Sequence, residues 1–398
     1  MSNPSLPRGI EVQSLDLLRG VMPVMVFGSH AAIWTGCMPQ LRALFIGGGL
    51  AVDVFIFVSG FLMLWHYQDR EDREPWQKPG TWMKFWIRRF FRLAPLYWLL
   101  LLITFSFLGN WLAWSDEFYR LNPPSWMDGL HEWPRVDQSL SPANVLSHYL
   151  FIFGVIPRFA SNNPLPDWSI GLEMQFYLVF PFLALSIRKL GWPVMILALS
   201  AIWWVCLRQI HVGLLTPPGP WGWFPMPTFL PLRIGVFLSG MLIAYVLSGK
   251  TSFRSAMVYA LIALIFAGWH NKYLLLPVAV FVVWEIIIRC PRRPKWLERP
   301  VRIGVAVLES KPIQFIADCS YGVYLWHILV QLVVLRLCVN FGMFDGRTHL
   351  ERFALLVLMA LPLVYLVSWV SYCWIERPAI QLGKAVLKKI KKGGASGP

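Results

Sequence analysis

Two ionisable residues lie in the first long apolar stretch of the chain, Leu15–Trp34. Arg19 and His30 are eleven residues apart, so in a helix they share one face and lie about 16 Å apart along the axis. An imidazole can take up a proton near neutral pH, and a guanidinium can bind anions. Because a lone arginine in mid-membrane costs about 2.5–3.5 kcal/mol, the pair indicates a buried polar site within a helix bundle. The alternative is that Arg19 reaches one membrane surface and His30 caps the other end.

The elements that must position these residues are apolar segments long enough to cross a bilayer. Apolar residues make up 57% of the 398 residues and charged residues 14%, and the 22 tryptophans suit membrane interfaces, so water-soluble classes are excluded. The spanning segments are Leu15–Trp34, Leu44–Tyr67, Phe91–Trp111, Trp168–Ile187, Gly191–Gly213, Met226–Ser248, Ser255–Trp269, Tyr273–Ile288, Tyr321–Phe344 and Phe353–Ile375. A shorter run, Asn144–Ile156, is predicted to be re-entrant. The predicted fold is an all-α, polytopic membrane helical bundle with about ten transmembrane helices.

The net charge of +15 is a topology signal. With a cytoplasmic N-terminus, 25 of the 36 lysines and arginines lie inside, 8 lie outside and 3 lie within segments. Because positive residues accumulate on the cytoplasmic side, we expect a multi-pass protein of the cytoplasmic (inner) membrane with both termini inside. This placement removes the case for a nucleic-acid partner. The six cysteines have no CxxC or histidine-rich spacing, so neither disulfides nor a metal site is predicted.

Ionisable residues within the segments are expected at two depths. The outer group comprises His30, Asp53, Glu173 and Arg233, which would converge as an acid–base cluster. The inner group comprises Arg19, His327, Arg88, Arg89 and Arg92, which would form a cationic mouth. Arg89 and Arg92 are one turn apart on a helix, a spacing that suits phosphate binding. The alternatives are a structural ion pair for Asp53 and Arg233, and an ordinary positive flank for the arginine run.

The longest loop, from about residue 112 to 167, is predicted to face outside. Its acidic and aromatic residues, including Trp126 and Trp133, suit a carbohydrate-like acceptor, although a solvated cover is an equal alternative. Residues 1–380 are predicted to form one membrane domain. Residues 381–398 are predicted to be a basic, disordered cytoplasmic tail.

Six short motifs follow one another along the chain. They are LDLLRG at 15–20 with His30 at an Arg-x10-His spacing, VDVFIFVSGF at 52–61, RRFFRLAPLY at 88–97, WSIGLEMQFY at 168–177, SYGVYLWH at 320–327 and ERP at 376–378. Each is weak alone, but the ordered set resembles the acyltransferase 3 family of integral-membrane acyltransferases over nearly the whole chain. Leu17 and Met174 depart from the pattern, since many members have glycine and a second acid there. Met174 casts doubt on a mechanism that needs paired carboxylates.

The resemblance implies a ten-helix enzyme that transfers an acyl group, most often acetyl, from acyl-CoA to a hydroxyl. The acceptor would be a sugar of a surface polysaccharide, a lipid-linked glycan or another small molecule. By position in the motifs, the resemblance implies that His30 is the base and that Arg19 is its partner in the motif. It implies that Arg89 and Arg92 bind coenzyme A, and Glu173 matches the acid of the Trp-Ser motif. We add Arg88 and His327 to the donor side, Asp53 or Glu173 as a group that orients His30, and Arg19 or Arg233 as an oxyanion donor.

Two other functional classes remain open at this stage. A transporter or flippase would also line a path with charges, but the halves show no repeat and no matching broken segments. A membrane glycosyltransferase would also use a long outer loop. Within the acyltransferase reading, direct transfer is preferred because no serine or cysteine lies in a nucleophile motif, although Ser59 and Cys37 keep a covalent intermediate open.

Overall fold

The structure, a computed structural model, describes residues 12–37, 41, 48–121, 139–213, 218–290 and 293–393. It is an all-α bundle. Its helices are α1 (Gln13–Trp34), α2 (Gly48–Arg70), α3 (Pro79–Ser106), α4 (Leu108–Leu121), α5 (Pro142–Tyr149), α6 (Trp168–Gln209), α7 (Ile234–Leu247), α8 (Phe253–His270), α9 (Leu275–Arg289), α10 (Lys295–Leu308), α11 (Lys311–Asn340), α12 (His349–Ser371) and α13 (Arg377–Gly393). One pair of short parallel strands, β1 (Ile210–Val212) and β2 (Gly222–Phe224), lies between α6 and α7.

The long apolar helices confirm a polytopic membrane protein. Among the described residues, seven helices are long and apolar enough to cross a bilayer, and the last of them runs from α12 into α13. Gly191 has a φ of +78° and breaks the 42-residue α6, so two predicted segments follow one another without a loop. The remaining two predicted segments are the shorter helices α7 and α9, of 14 and 15 residues. Each of the ten predicted segments therefore overlaps a helix of the described residues.

Several boundaries differ from prediction for physical reasons. Helix α3 begins at Pro79, twelve residues before the predicted Phe91, because proline is well tolerated in a first helical turn and the basic run continues the helix. Helix α7 begins at Ile234, later than the predicted Met226, because Pro227 and Pro231 lack the backbone donor that a helix interior needs. The prediction of a disordered tail is wrong over 381–393, which are helical. Residues 394–398, and 122–138 of the predicted outer loop, lie outside the described residues.

The tail is helical because it has an apolar face to bury. Ile380 contacts an interior cavity, Gly383 packs against Phe91 of α3, and Leu387 is buried, while lysines occupy the other face. This spacing of three and four residues is that of an amphipathic helix. Helix α13 is therefore part of the bundle rather than a free extension.

Helices α2 and α7 cross in backbone contact. A Cβ atom on Gly240 would lie 2.0 Å from the carbonyl oxygen of Phe57, and one on Gly60 would lie 2.2 Å from that of Phe237. Small residues allow such close approach between membrane helices. On its other side α2 packs against α1, and α1 packs against α11. This arrangement fixes the faces of α1, α2 and α11 relative to one another.

Asp167 anchors the predicted re-entrant segment. Helix α5 has eight residues, too few to cross a bilayer, and 3₁₀ turns follow it at Phe153–Val155 and Pro157–Phe159. His148 Nε2 on α5 lies 3.6 Å from Asp167 Oδ2, and Tyr97 donates a hydrogen bond of 2.9 Å to the same oxygen. The segment therefore packs against Asp167, the residue that precedes α6.

Candidate active site

An interior cavity of about 430 Å³ lies between α2, α3, α6 and α11. One face of α2 runs along it, with Phe55, Ser59, Leu62 and His66 all contributing to the lining. Eleven residues of helix correspond to a length of about 16 Å. Residues of α6 and α11 line the same space in matching order, and Arg19 of α1 and Ile380 of α13 complete the lining. The cavity is therefore an elongated shaft along the bundle.

The two ends of the shaft differ in chemistry. At one end, which we call the arginine end, lie the guanidinium groups of Arg19, Arg89 and Arg92. His66 and Asp318 lie at the same end. At the other end, which we call the tyrosine end, lie Phe55, Ser169 and Tyr324. The shaft therefore joins a cationic opening to a less polar, aromatic end.

Among the three cations of the arginine end, Arg89 is the one without a carboxylate partner in the described part of the chain. Arg19 pairs with Asp16 at 3.2 Å, and Arg92 pairs with Glu376 at 3.4 Å. The guanidinium of Arg89 instead lies over the rings of Phe85 and Tyr177, 5.8 and 5.5 Å from their centroids, and its buried Nε makes no hydrogen bond. A stacked guanidinium with unused donors is well prepared to bind an anionic ligand.

Arg88 does not line the cavity, although it was predicted to act with its neighbours. Its guanidinium donates two hydrogen bonds to Glu74, at 3.2 and 2.6 Å, and one of 3.1 Å to the Tyr67 hydroxyl. Partial burial acts to raise the pKa of the Glu74 carboxyl, but the hydrogen bonds and charge of Arg88 outweigh it and hold that pKa below its usual value. Arg88 and Arg89 project about 100° apart around the helix, and the contacts with Glu74 and Tyr67 hold the Arg88 guanidinium outside the cavity.

Glu173 lies midway along the shaft. It accepts hydrogen bonds from the hydroxyls of Tyr177 and Ser59, the latter at 3.2 Å. The structure thus brings this predicted residue to the cavity as an acceptor, with hydroxyl partners rather than His30.

The tyrosine end is closed by hydrogen bonds. The Tyr324 hydroxyl donates to the carbonyl of Pro166 at 2.7 Å and accepts from the Ser169 hydroxyl at 2.8 Å. The Tyr324 ring lies 5.6 Å from that of Phe55 and 6.0 Å from that of His327, centroid to centroid. Tyr324 therefore lies between the shaft and the ring of His327.

Behind Tyr324 lie two histidines, which line no part of the shaft. The rings of His30 on α1 and His327 on α11 are 5.3 Å apart between centroids, and His30 also contacts Trp34 at 5.8 Å. His30 is half-buried, whereas His327 is fully buried. His327 therefore lies beside His30 and away from the arginine end, where the sequence had placed it with the donor side.

Asp53 and Arg233 form a separate group, so the four outer residues do not converge as predicted. Arg233 donates a hydrogen bond of 2.9 Å to Asp53 Oδ1, and Asn271 donates one of 3.2 Å to Oδ2. Neither Asp53 nor Arg233 lines the shaft. Among the described residues, no hydrogen bond or ion pair joins His30 to Asp53 or Glu173. Depth in the membrane, which is what the sequence predicted, does not say which way a side chain points around its helix.

Some residues of the shaft were not singled out from sequence. Ser169, Tyr321 and Tyr324 lie within the quoted motifs, so the motifs carried a signal for them. His66 and Asp318 lie near helix ends, where charged residues usually mark the membrane surface, and nothing in the pattern separated them from ordinary flanks. In the part of the chain that the structure describes, no group of three or more histidine, cysteine, aspartate or glutamate residues could hold a metal ion.

Comparison with known proteins identifies the family of this chain. The acyltransferase 3 family model, described as an acyltransferase domain, matches residues 12–373, and the chain belongs to this family. It is therefore a multi-pass membrane protein of an acyltransferase family, and membership of this family suggests an acyl donor.

Two relatives show how far the similarity extends. The acyltransferase MdmB of Streptomyces mycarofaciens is 28% identical over 224 residues, which are 55% of this chain and 49% of that protein. The peptidoglycan O-acetyltransferase OatA of Listeria monocytogenes is 25% identical over 345 residues, 79% of this chain and 49% of that protein. The chain thus spans about half the length of these curated relatives. No solved structure matches the chain significantly.

Proposed function

We propose that this protein moves an acyl group, most simply acetyl, from acyl-CoA to a hydroxyl of a sugar in a surface polysaccharide or lipid-linked glycan. The observation that carries the proposal is the shaft, with a cationic arginine end and a closed tyrosine end that backs onto His30. The positive-inside distribution supports an inner-membrane protein with cytoplasmic termini, so that the arginine end opens to the cytoplasm where acyl-CoA is made.

In the proposed complex the pantetheine arm of the donor lies along the shaft and its nucleotide lies at the arginine end. The nucleotide phosphates lie against Arg19, Arg89 and Arg92, because guanidinium forks pair well with phosphate oxygens. The flexible arm then runs along α2, where Glu173 and Ser59 offer acceptors and donors to its amide groups. The thioester reaches the tyrosine end, and rotation of the Tyr324 side chain joins it to the space around His30.

The transfer step needs a base at the acceptor hydroxyl. Neutral His30 takes the proton as the hydroxyl oxygen attacks the thioester carbonyl; a C–O bond forms, the C–S bond breaks, and the proton passes to the leaving thiolate. Neither arginine that the sequence offered as oxyanion donor lies beside His30. Arg233 is held by Asp53, and Arg19 is at the opposite end of the shaft.

The name of one relative and the composition of the outer loop support this acceptor class. OatA is named for O-acetylation of peptidoglycan, a surface glycan. The test is an NMR and mass-spectrometric inventory of ester-linked acyl groups on surface glycans from parent, deletion and complemented cells. We expect one O-acyl signal to disappear on deletion and to return on complementation. Unchanged glycans, together with no release of free coenzyme A thiol by the purified protein, would contradict the proposal and favour the transporter.

The arginine pair provides a prediction with an internal control. Arg89→Gln is expected to raise the KM for acyl-CoA about 10- to 100-fold, since a hydrogen bond to a charged group contributes about 1.5–3 kcal/mol. Arg88→Gln breaks the contact with Glu74 and should leave this KM unchanged. Steady-state thiol release by both purified variants measures the difference.

A truncated donor sharpens this test. Acyl-pantetheine carries the thioester and the arm but no nucleotide phosphates, so Arg89→Gln should not change its KM. Equal effects of Arg88→Gln and Arg89→Gln on acyl-CoA, or an equal effect of Arg89→Gln on both donors, would show that the arginine end does not bind the phosphates.

A further inference from the structure

His327 has one satisfied ring nitrogen and one unsatisfied ring nitrogen, although its side chain is fully buried. Its Nδ1 lies 2.7 Å from the carbonyl oxygen of Tyr324. A carbonyl oxygen can only accept, so Nδ1 carries the hydrogen and Nε2 presents a lone pair in the neutral ring. Nε2 has no hydrogen-bond partner in the described residues.

His30 shows the complementary deficit. Its Nδ1 is also buried and also lacks a hydrogen-bond partner among the described residues. Two imidazoles joined by one N–H···N hydrogen bond have centroids about 5 Å apart. The observed separation between the two centroids is 5.3 Å, and the ring planes are tilted by 42°. The two nitrogens share no hydrogen bond in the structure, but they belong to adjacent rings, and a small rotation of either ring would let them share one.

The other candidates for orienting His30 are already engaged. Asp53 accepts from Arg233 and Asn271, and Glu173 accepts from Ser59 and Tyr177. Trp34, the other ring against His30, has an indole nitrogen that can only donate, and a donor cannot hold an N–H group.

We propose that His327 is the positioning residue for His30, a role that rests on the proposed function. Its Nε2 accepts a hydrogen bond from His30 Nδ1–H and so fixes the tautomer in which His30 Nε2 is free to act as the base. His327 is fully buried and does not touch the acceptor itself, whereas half-buried His30 can. The Tyr324 carbonyl accepts from His327 Nδ1–H, and the proposed hydrogen bond would extend this contact to His30, so the residue that closes the shaft also holds the orienting group.

Two substitutions separate this role from a merely structural one. In His327→Gln the longer carboxamide can place its oxygen near the position of Nε2 and accept from His30. In His327→Asn the shorter carboxamide can replace Nδ1 as donor to Tyr324, but it cannot reach His30. We expect His327→Asn to lower kcat about 100-fold with the KM for acyl-CoA unchanged, and His327→Gln to recover at least about tenfold of that loss.

The measurement is thiol release by purified variants, with thermal unfolding in detergent to confirm folding. If His327→Asn is as active as His327→Gln or more so, the Tyr324 contact alone matters and the proposal is overturned. A change confined to KM would return His327 to the donor side. Failure of the proposed function looks different, because wild-type protein would then release no thiol. Protein that is active in the wild-type form and equally active in both variants contradicts the positioning role only.

Discussion

Replacing His30 with alanine is expected to abolish acyl transfer while the protein still folds. General-base catalysis contributes about 10²- to 10⁴-fold to rate. In the described residues no hydrogen bond or ion pair joins His30 to Asp53 or Glu173, so neither carboxylate is placed to replace it as the base. The ring packs against Trp34 and His327 and takes part in no ion pair among the described residues, so its removal leaves no buried charge behind and the variant is expected to fold. Thiol release in the presence of acceptor, with thermal unfolding of the same preparation, measures both quantities.

Two further variants serve as controls for this prediction. His30→Gln keeps a polar side chain of similar reach but provides no base, so it should be as inactive as the alanine variant. His349→Gln changes a histidine whose Nδ1 bonds the Thr35 carbonyl just beyond the same helix, at 2.8 Å, and it should keep its activity. An active, folded His30→Ala protein would remove His30 from the chemistry.

Neutralising Arg233 alone is expected to destabilise the protein by about 3–5 kcal/mol, because it leaves the buried Asp53 carboxylate without its ion pair. The Asp53 side chain is 3% exposed and that of Arg233 is 18% exposed, so solvent cannot replace the partner. In the double variant Asp53→Asn/Arg233→Gln both charges are gone, and the amide can still accept from Asn271. We expect the double variant to recover most of the lost stability.

The activity of the double variant tests whether Asp53 only forms a structural ion pair with Arg233 or also orients His30. The structure holds Asp53 away from the shaft and from His30, so we expect transfer near the wild-type rate in protein that is stable by thermal unfolding. A double variant that is stable but inactive would support the role in orienting His30 that the sequence gave as one possibility.

Helix positions could be predicted from sequence because the bilayer sets the length and apolarity of each span. What could not be predicted is where a span extends into polar residues. Arg88, Arg89 and Arg92 lie inside α3 because its preceding turns bury Thr81 and Phe85 against the bundle, which hydropathy does not register. The same reasoning applies to α13, whose buried Leu387 lies among lysines.

The sequence singled out several residues that line the cavity, but it could not show which side chains pair with one another. Arg88 and Arg89 are adjacent and chemically identical, yet one pairs with Glu74 and the other faces the shaft. His30 and His327 are nearly three hundred residues apart, so only packing of α1 on α11 shows that they meet. Tertiary packing determines the direction in which each helix face points and which distant helices touch, and a single sequence does not show this packing.

The closed tyrosine end also bears on ion leakage across the membrane. Moving one elementary charge through a potential of 100 mV releases about 2.3 kcal/mol. A water-filled passage open at both membrane faces would therefore let ions flow and dissipate the membrane potential. Here the hydroxyl of Tyr324 is held by Ser169 and the Pro166 carbonyl, and the lining of the passage stops at that contact. We therefore expect this contact to limit a leak of protons or ions during the proposed transfer.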